Sequence, residues 1–289
     1  MKPLAECAPC ILEWTFGRTA SFLGENQKVE LMNTLLGVLY DEFRVDRNVA
    51  LIAKHTLDAV HSRVLAAGAV YDAIKKASND AAKALLPEAR RFVQEGKTPQ
   101  ECFERACYLA SKGNVSPIAA PSGALEFSDA ENLMAKRGPF PMVTGDVYEA
   151  ARDKRHILFL FDNAGEIGFD ALLIEQFKAM GAAVTLVLKE APFFEDATLQ
   201  DAVYFGLDKL SDRVLSVKTL FIPGQNRSSL DEAFEESDLV IAKGTFNFEC
   251  LYGEDLGKPI IYMLKSKCGP ISKKAGVDQG VFFVRLENA

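Results

Sequence analysis

The chain has 289 residues, 48% of them apolar, and a formal net charge of −7 from 33 basic and 40 acidic side chains. That length allows one large domain or two small ones, and so much apolar surface excludes intrinsic disorder as the main state. The acidic balance argues against a nucleic-acid partner, and no apolar run reaches the ~20 residues that cross a bilayer, so no membrane partner is expected.

Residues 4–136 read as helical. Val29, Leu31, Met32, Leu35, Leu36, Val38 and Leu39 form one apolar stripe at helical spacing. A second runs from Ala50 through Leu51, Ala53, Leu57 and Val60 to Val64, and a third spans Ala69 to Val93. Thr98-Pro99-Gln100-Glu101 has the pattern of a capping box with proline at the first helical position, and Ser128-Asp129-Ala130-Glu131 repeats it. After Gly138-Pro139-Phe140-Pro141 the texture changes. Short continuous apolar runs follow at 156–161, 183–188, 219–222, 239–242, 260–264 and 281–284, with helical patterns between several of them, such as Ile167 to Met180 and Ser229 to Glu236. Runs that are apolar on both faces predict buried parallel strands, and their alternation with helices predicts an α/β fold. The expected architecture is an all-helical N-terminal domain, residues 1–138, on a Rossmann-like α/β domain, residues 139–289. The second domain is an open, mostly parallel sheet with helices on both faces.

In such sheets ligands bind beyond the carboxyl ends of the strands. There the chain carries Asp162-Asn163-Ala164-Gly165-Glu166, then Glu195-Asp196-Ala197-Thr198, then Lys243-Gly244-Thr245-Phe246-Asn247-Phe248-Glu249, then Lys265-Ser266-Lys267-Cys268-Gly269. Asp162, Asn163 and Asp196 supply the oxygen donors that Mg²⁺ or Mn²⁺ prefers. Asp and Asn are also favoured N-caps, so Asp162 and Asn163 have a second reading as caps of the helix that follows. Lys243 can neutralise a phosphate, or pair with an acid such as Glu249 at the surface. The Gly244 N–H and the helix beginning near Glu166 suit an anion.

There is no GxGxxG after the first strand and no GxxxxGK[ST], which argues against a dinucleotide cofactor and a P-loop. Ala164 stands where a haloacid-dehalogenase-type phosphatase has its second aspartate. His55, His61 and His156 show no metal spacing and read as structural or exposed. The six cysteines are too sparse for a disulfide scaffold. Cys7-Ala8-Pro9-Cys10 is a CxxC without the partners a zinc site needs, and reads as two reduced helix-entry thiols. The start MKPLAECAPC shows no signal-peptide pattern, so a cytoplasmic protein is expected. Trp14, Phe16 and Phe22 read as core or interdomain contacts.

DNAGE at 162–166, DAT at 196–198, KGTxNFE at 243–249 and LKxKC at 264–268, with a CxxC start and a helical N-terminal half, resemble the domain-of-unknown-function-89 family. These are metal-dependent damage-control phosphatases similar to the ARMT1-like proteins. The resemblance implies Asp162, Asn163 and Asp196 as metal ligands and Glu166 as a residue orienting water. It implies Lys243 and Gly244 as phosphate contacts, with Gly165 and Asn247 in the same set, and Asn79 and Asn114 as polar residues sent into the cleft by the helical half. Serine and proline at 116–117, Glu195 and Phe246 depart from the family pattern. The implied activity is hydrolysis of phosphate monoesters of small metabolites, sugar phosphates or damaged phosphometabolites, with Mg²⁺, Mn²⁺, Co²⁺ or Ni²⁺ as cofactor. A carboxyl methyltransferase and a non-catalytic phosphometabolite-binding protein are the alternative expectations.

Overall fold

The computed structural model describes residues 1–21, 23–66, 68–115, 126–224 and 229–288, the side chains of 64–66 and 68–70 excepted. Phe22, Ser116 and Pro117, and the contributions of Val64 and Ala69 to the helical stripes, lie outside what is described.

Six helices come first: α1 (Cys7–Ala20), α2 (Glu25–Glu42), α3 (Val49–Ala66), α4 (Gly68–Gln94), α5 (Pro99–Lys112) and α6 (Ser128–Met134). The second half runs β1 (Met142–Thr144), α7 (Val147–Ala151), β2 (His156–Leu160), α8 (Ile167–Ala179), β3 (Ala183–Lys189), α9 (Leu199–Phe205) and α10 (Leu207–Leu210). It continues with β4 (Arg213–Val217), α11 (Ser229–Glu236), β5 (Leu239–Lys243), α12 (Gly244–Leu251), β6 (Ile260–Lys265), α13 (Gly269–Ala275) and β7 (Phe282–Glu287).

The caps explain several boundaries. Thr98 Oγ1 accepts the Glu101 N–H at 3.1 Å, and Glu101 reaches back to the Lys97 N–H at 2.6 Å, so α5 starts where the sequence signals it. Ser128 is different: it lies inside α6, whose N-cap is Phe127 with no side-chain bond. Only Leu31, Leu35 and Leu39 of the α2 stripe are buried, because α2 lies outside α1 and α3 and needs one narrow apolar edge; Val29 and Leu36 face solvent.

The seven strands form one sheet in the order β1-β7-β6-β5-β2-β3-β4. Strands β2 to β6 are parallel; β7 runs antiparallel to β6, and β1 parallel to β7. The fold class read from the sequence is therefore observed: a mostly parallel α/β sheet with helices on both faces. One strand is corrected. The run Thr219 to Ile222 is not a strand; β4 is Arg213–Val217 instead. As the edge partner of β3, β4 is covered incompletely and has no need of a continuous apolar run, whereas Leu220, Phe221 and Ile222 are buried as a loop.

Alternation along the strands divides the core in two. Ile157, Phe159, Val184, Leu186, Leu239, Ile241, Ile261 and Met263 face a layer that includes α8 and residues of α4 to α6. Leu158, Leu160, Val187, Val240, Ala242, Ile260, Tyr262 and Leu264 face a layer that includes residues of α1 to α3, α11 and α12. Both clusters therefore mix residues from either side of position 138. No helix among the described residues is long and apolar enough to cross a membrane.

Candidate functional site

The chain turns from β2 to β3 on one side and crosses back to β5 on the other, so β2 and β5 flank the switch point of the sheet. Their carboxyl ends open into a cleft of about 80 Å³. Asp162, Asn163, Glu195 and Asp196 lie along its floor, with Thr245, Glu249 and Lys267 beside them and Trp14, Ile11, Leu57 and Phe246 among its apolar lining.

The loops after β2 and β3 are cross-linked. The Ala197 N–H donates to the Asp162 carbonyl at 2.8 Å and the Ala164 N–H to the Glu195 carbonyl at 2.7 Å, pairing Asn163 with Asp196 across a short antiparallel bridge. Asp162, Asn163 and Asp196, expected to act together, are thus brought into one cleft. Asp162 and Asn163 do not cap the following helix, because α8 begins at Ile167 with Glu166 at its N-cap. Instead Asp162 Oδ2 accepts from the side-chain amides of Asn114 (2.8 Å) and Asn163 (2.9 Å). Asp196 pairs with Lys189 at 3.2 Å, and burial, with Asp162 nearby, pushes its carboxyl up to about 7.

Gly244 makes the close approach possible. It sits at φ +77°, and a Cβ there would fall 2.0 Å from Asp162 Oδ2. The α12 N-terminus therefore stands directly against the Asp162 carboxylate.

Lys243 is placed differently from the phosphate contact the sequence suggested, and from the solvated ion pair with Glu249. It is fully buried beneath the cleft, donating to Glu166 Oε1 (3.0 Å) and Asp170 Oδ1 (2.7 Å). The two carboxylates hold its ammonium protonated to above the usual lysine range, against burial that pulls the other way. Burial also raises both acids, Glu166 most. Glu166, expected to orient water, is likewise fully buried and accepts from Asn114 (3.1 Å), Asn163 (3.3 Å) and Lys243.

The remaining expected residues are braces under the cleft rather than part of its lining. Asn114 also accepts the Lys265 N–H at 3.3 Å, tying the end of α5 to the DNAGE turn and to β6. Asn79 accepts the Gly165 N–H at 2.7 Å and donates to Asp201 at 2.8 Å; Asp201 in turn pairs with Lys75 at 2.7 Å. Asn247 donates to the carbonyls of Phe161 (3.1 Å) and Lys243 (2.8 Å), pinning α12 to the end of β2.

Sequence reasoning missed three groups in the cleft. Lys267 lies just past β6, at a strand end like the others, and its ammonium has no hydrogen bond or ion pair among the described residues; burial lowers it and Asp162 pulls it back up. Thr245 Oγ1 is buried without a hydrogen-bond partner among the described residues. Arg18, buried on α1, donates to Glu195 and lies 5.0 Å from the centre of the Trp14 ring. Strand-end position could have flagged Lys267; nothing in the sequence marks Arg18, which only the tertiary fold brings to the site.

The residues also fit a hard divalent cation. No group of three His, Cys, Asp or Glu side chains is arranged to hold a metal among the described residues, but this donor set is two carboxylates and an amide. The Asn163 nitrogen is committed to Asp162 and Glu166, which leaves its oxygen as the donor. Two half-buried acids share one cleft, and desolvation together with the charge of Asp162 raises the Asp196 carboxyl, an arrangement that a cation between them would relieve.

The sequence from residue 4 to 281 matches the damage-control phosphatase ARMT1-like domain. The chain belongs to this family. Curated relatives agree. A damage-control phosphatase of Archaeoglobus fulgidus is 31% identical over 242 residues, covering 79% of this chain and 81% of the relative. One of Pyrococcus horikoshii is 32% identical over 182 residues, covering 62% of this chain and 63% of the relative. The crystal structure of a DUF89 family protein from Pyrococcus horikoshii matches across 100% of both chains with a TM-score of 0.77 and 25% identity. The family is one of damage-control phosphatases.

Proposed function

We propose that this chain is a divalent-metal-dependent phosphatase that hydrolyses phosphate monoesters of small metabolites, sugar phosphates or damaged phosphometabolites, in the cytoplasm. The observation that carries the reading is one cleft holding the oxygen donors Asp162, Asn163 and Asp196 beside a lysine and a hydroxyl that have no partner among the described residues. Six free thiols suit a reducing compartment.

Asp162, Asn163 and Asp196 would hold the cation. When bound, it polarises a phosphoryl oxygen and offsets the charge that develops there. The protein does the rest by positioning. Lys267 binds a second phosphoryl oxygen as a point charge, and Thr245 Oγ1 with the first N–H groups of α12 donates to the same anion. Asn114 and Asn163 fix the Asp162 carboxylate through their amide N–H groups. Glu166 and Lys243 keep those amides and the α8 N-terminus in place from below; they act through Asp162 and are positioning residues.

The test is phosphate release from a panel of monoesters with Mg²⁺, Mn²⁺, Co²⁺ and Ni²⁺. Turnover is expected to vanish with chelator and with Asp162→Asn, and to fall on the order of 10²–10³-fold with Lys267→Ala. Turnover that survives both chelation and Asp162→Asn overturns the reading.

A further inference from the structure

The KGTxNFE segment contains one chemically active residue that the phosphate site does not use. Glu249 lies on α12, four residues after Thr245, so the two side chains share a helix face one turn apart. Both line the cleft. Thr245 follows Gly244, whose backbone abuts Asp162, and Glu249 lies one turn further along α12. Among the described residues the Glu249 carboxylate has no hydrogen bond and no ion pair. Its surroundings are apolar or weakly polar, with Cys10 and Cys268 lining the same cleft and Trp14 packed edge-to-face on Phe246 at 5.1 Å. The N-terminal amine of Met1 goes to the Glu249 backbone carbonyl and to Glu254, not to the Glu249 side chain. Burial pushes this carboxyl up to about 7, with only the charge of the Met1 amine pulling it back.

A partly buried carboxylate that lines the cleft and has no donor among the described residues is free to take one from what the cleft holds. We propose that Glu249 is a specificity-determining residue: it accepts a hydrogen bond from a hydroxyl or ammonium on the organic group of the phosphate ester. This rests on the phosphatase reading and narrows its substrate class. The substrate is a short ester that carries such a donor close to the phosphate, since Thr245 and Glu249 are one helical turn apart. Ile11, Trp14, Leu57 and Phe246 cover its carbon skeleton.

The experiment compares propyl, 2-hydroxypropyl and 2-aminopropyl phosphate on the metal-loaded enzyme. The wild type is expected to prefer at least one donor-bearing ester over the propyl ester on the order of 10- to 100-fold in kcat/KM, the difference lying mainly in KM. Glu249→Leu should bring that ratio close to one. Glu249→Gln, which keeps the shape and the acceptor but not the charge, should retain a preference for the hydroxyl ester and lose one for the ammonium ester. Binding of the corresponding phosphonates, measured by calorimetry, should follow the same ranking. A wild type that turns over all three esters equally well overturns the inference while leaving the phosphatase reading intact, and so does a preference unchanged in either variant. A wild type that hydrolyses no monoester with any of the four metals overturns both.

Discussion

Replacing Gly244 by alanine tests the geometry of the site at its tightest point. Two separate costs meet there. The first is the backbone: φ is +77°, and a residue with a Cβ in the left-handed region costs about 1–2 kcal/mol. The second is the contact. The new Cβ would lie 2.0 Å from Asp162 Oδ2 and 2.3 Å from its Cγ, so the carboxylate must retreat by about 1.4 Å to reach ordinary contact at 3.4 Å. Asp162 is at the same time held by Asn114 and Asn163, so the retreat breaks those bonds as well. A displacement of about 1 Å in a catalytic group costs on the order of 10²-fold in rate. Gly244→Ala is therefore expected to lose about 100-fold or more in kcat and to bind Mn²⁺ more weakly by calorimetry, while its melting temperature falls only about 2–8 °C. Gly253 provides the control. It has φ +74°, and a Cβ added there would meet nothing within 4 Å, so Gly253→Ala carries the backbone cost alone and should keep its activity with a smaller loss of melting temperature. A Gly244→Ala enzyme with wild-type kcat and metal affinity refutes the argument that Asp162 is set by this contact.

Two further outcomes follow from burial. Lys243→Met leaves Glu166 and Asp170 without their common cation and should destabilise the fold by about 3–5 kcal/mol at pH 8 in urea titrations. The loss should shrink toward pH 5: burial raises both acids even beside the lysine that lowers them, and its removal raises them further, so the folded variant binds more protons than its unfolded chain and its stability falls as pH rises through that window. A Lys243→Met variant as stable as wild type at pH 8 would show that the triad is not an electrostatic unit. Cys7 and Cys10 should be dispensable for turnover, and slow to alkylate at pH 8, because burial pushes the Cys10 thiol up to about 12 and Cys7 in the same direction; loss of turnover in Cys7→Ser/Cys10→Ser, or zinc held at these thiols, would overturn this.

How far the sequence speaks for the fold follows from burial on both faces. The central strands β2, β3, β5 and β6 are covered by two layers, so their runs are almost wholly apolar, with Thr185 the interruption in β3, and stand out. β4 carries Arg213 and Ser216 because its edge is half open, and β1 is three residues long with Met142 and Val143 exposed; neither leaves a pattern. The helical half was legible as helices but not in its placement, since nothing in the stripes of α1 to α6 says which face of the sheet each will cover.

The site was legible to the same depth. Strand-end position collected Asp162, Asn163, Asp196 and Lys243 correctly at one edge, but an edge has two faces, and the faces decide the chemistry. Side chains alternate along a strand. Leu158 and Leu160 face the α1 side, so Asp162 continues that parity into the cleft. Leu239 and Ile241 face the α8 side, so Lys243 continues toward Asp170 and away from the cleft. The register between the strands, Leu158 opposite Val240 and Leu160 opposite Ala242, carries forward to Asp162 opposite Gly244. This pairing is why the residue after Lys243 must lack a side chain, and why Thr245, Glu249 and Lys267 line the cleft while Lys243 does not. Register is a long-range property, set by packing across β2 and β5, and no window of sequence around either strand contains it.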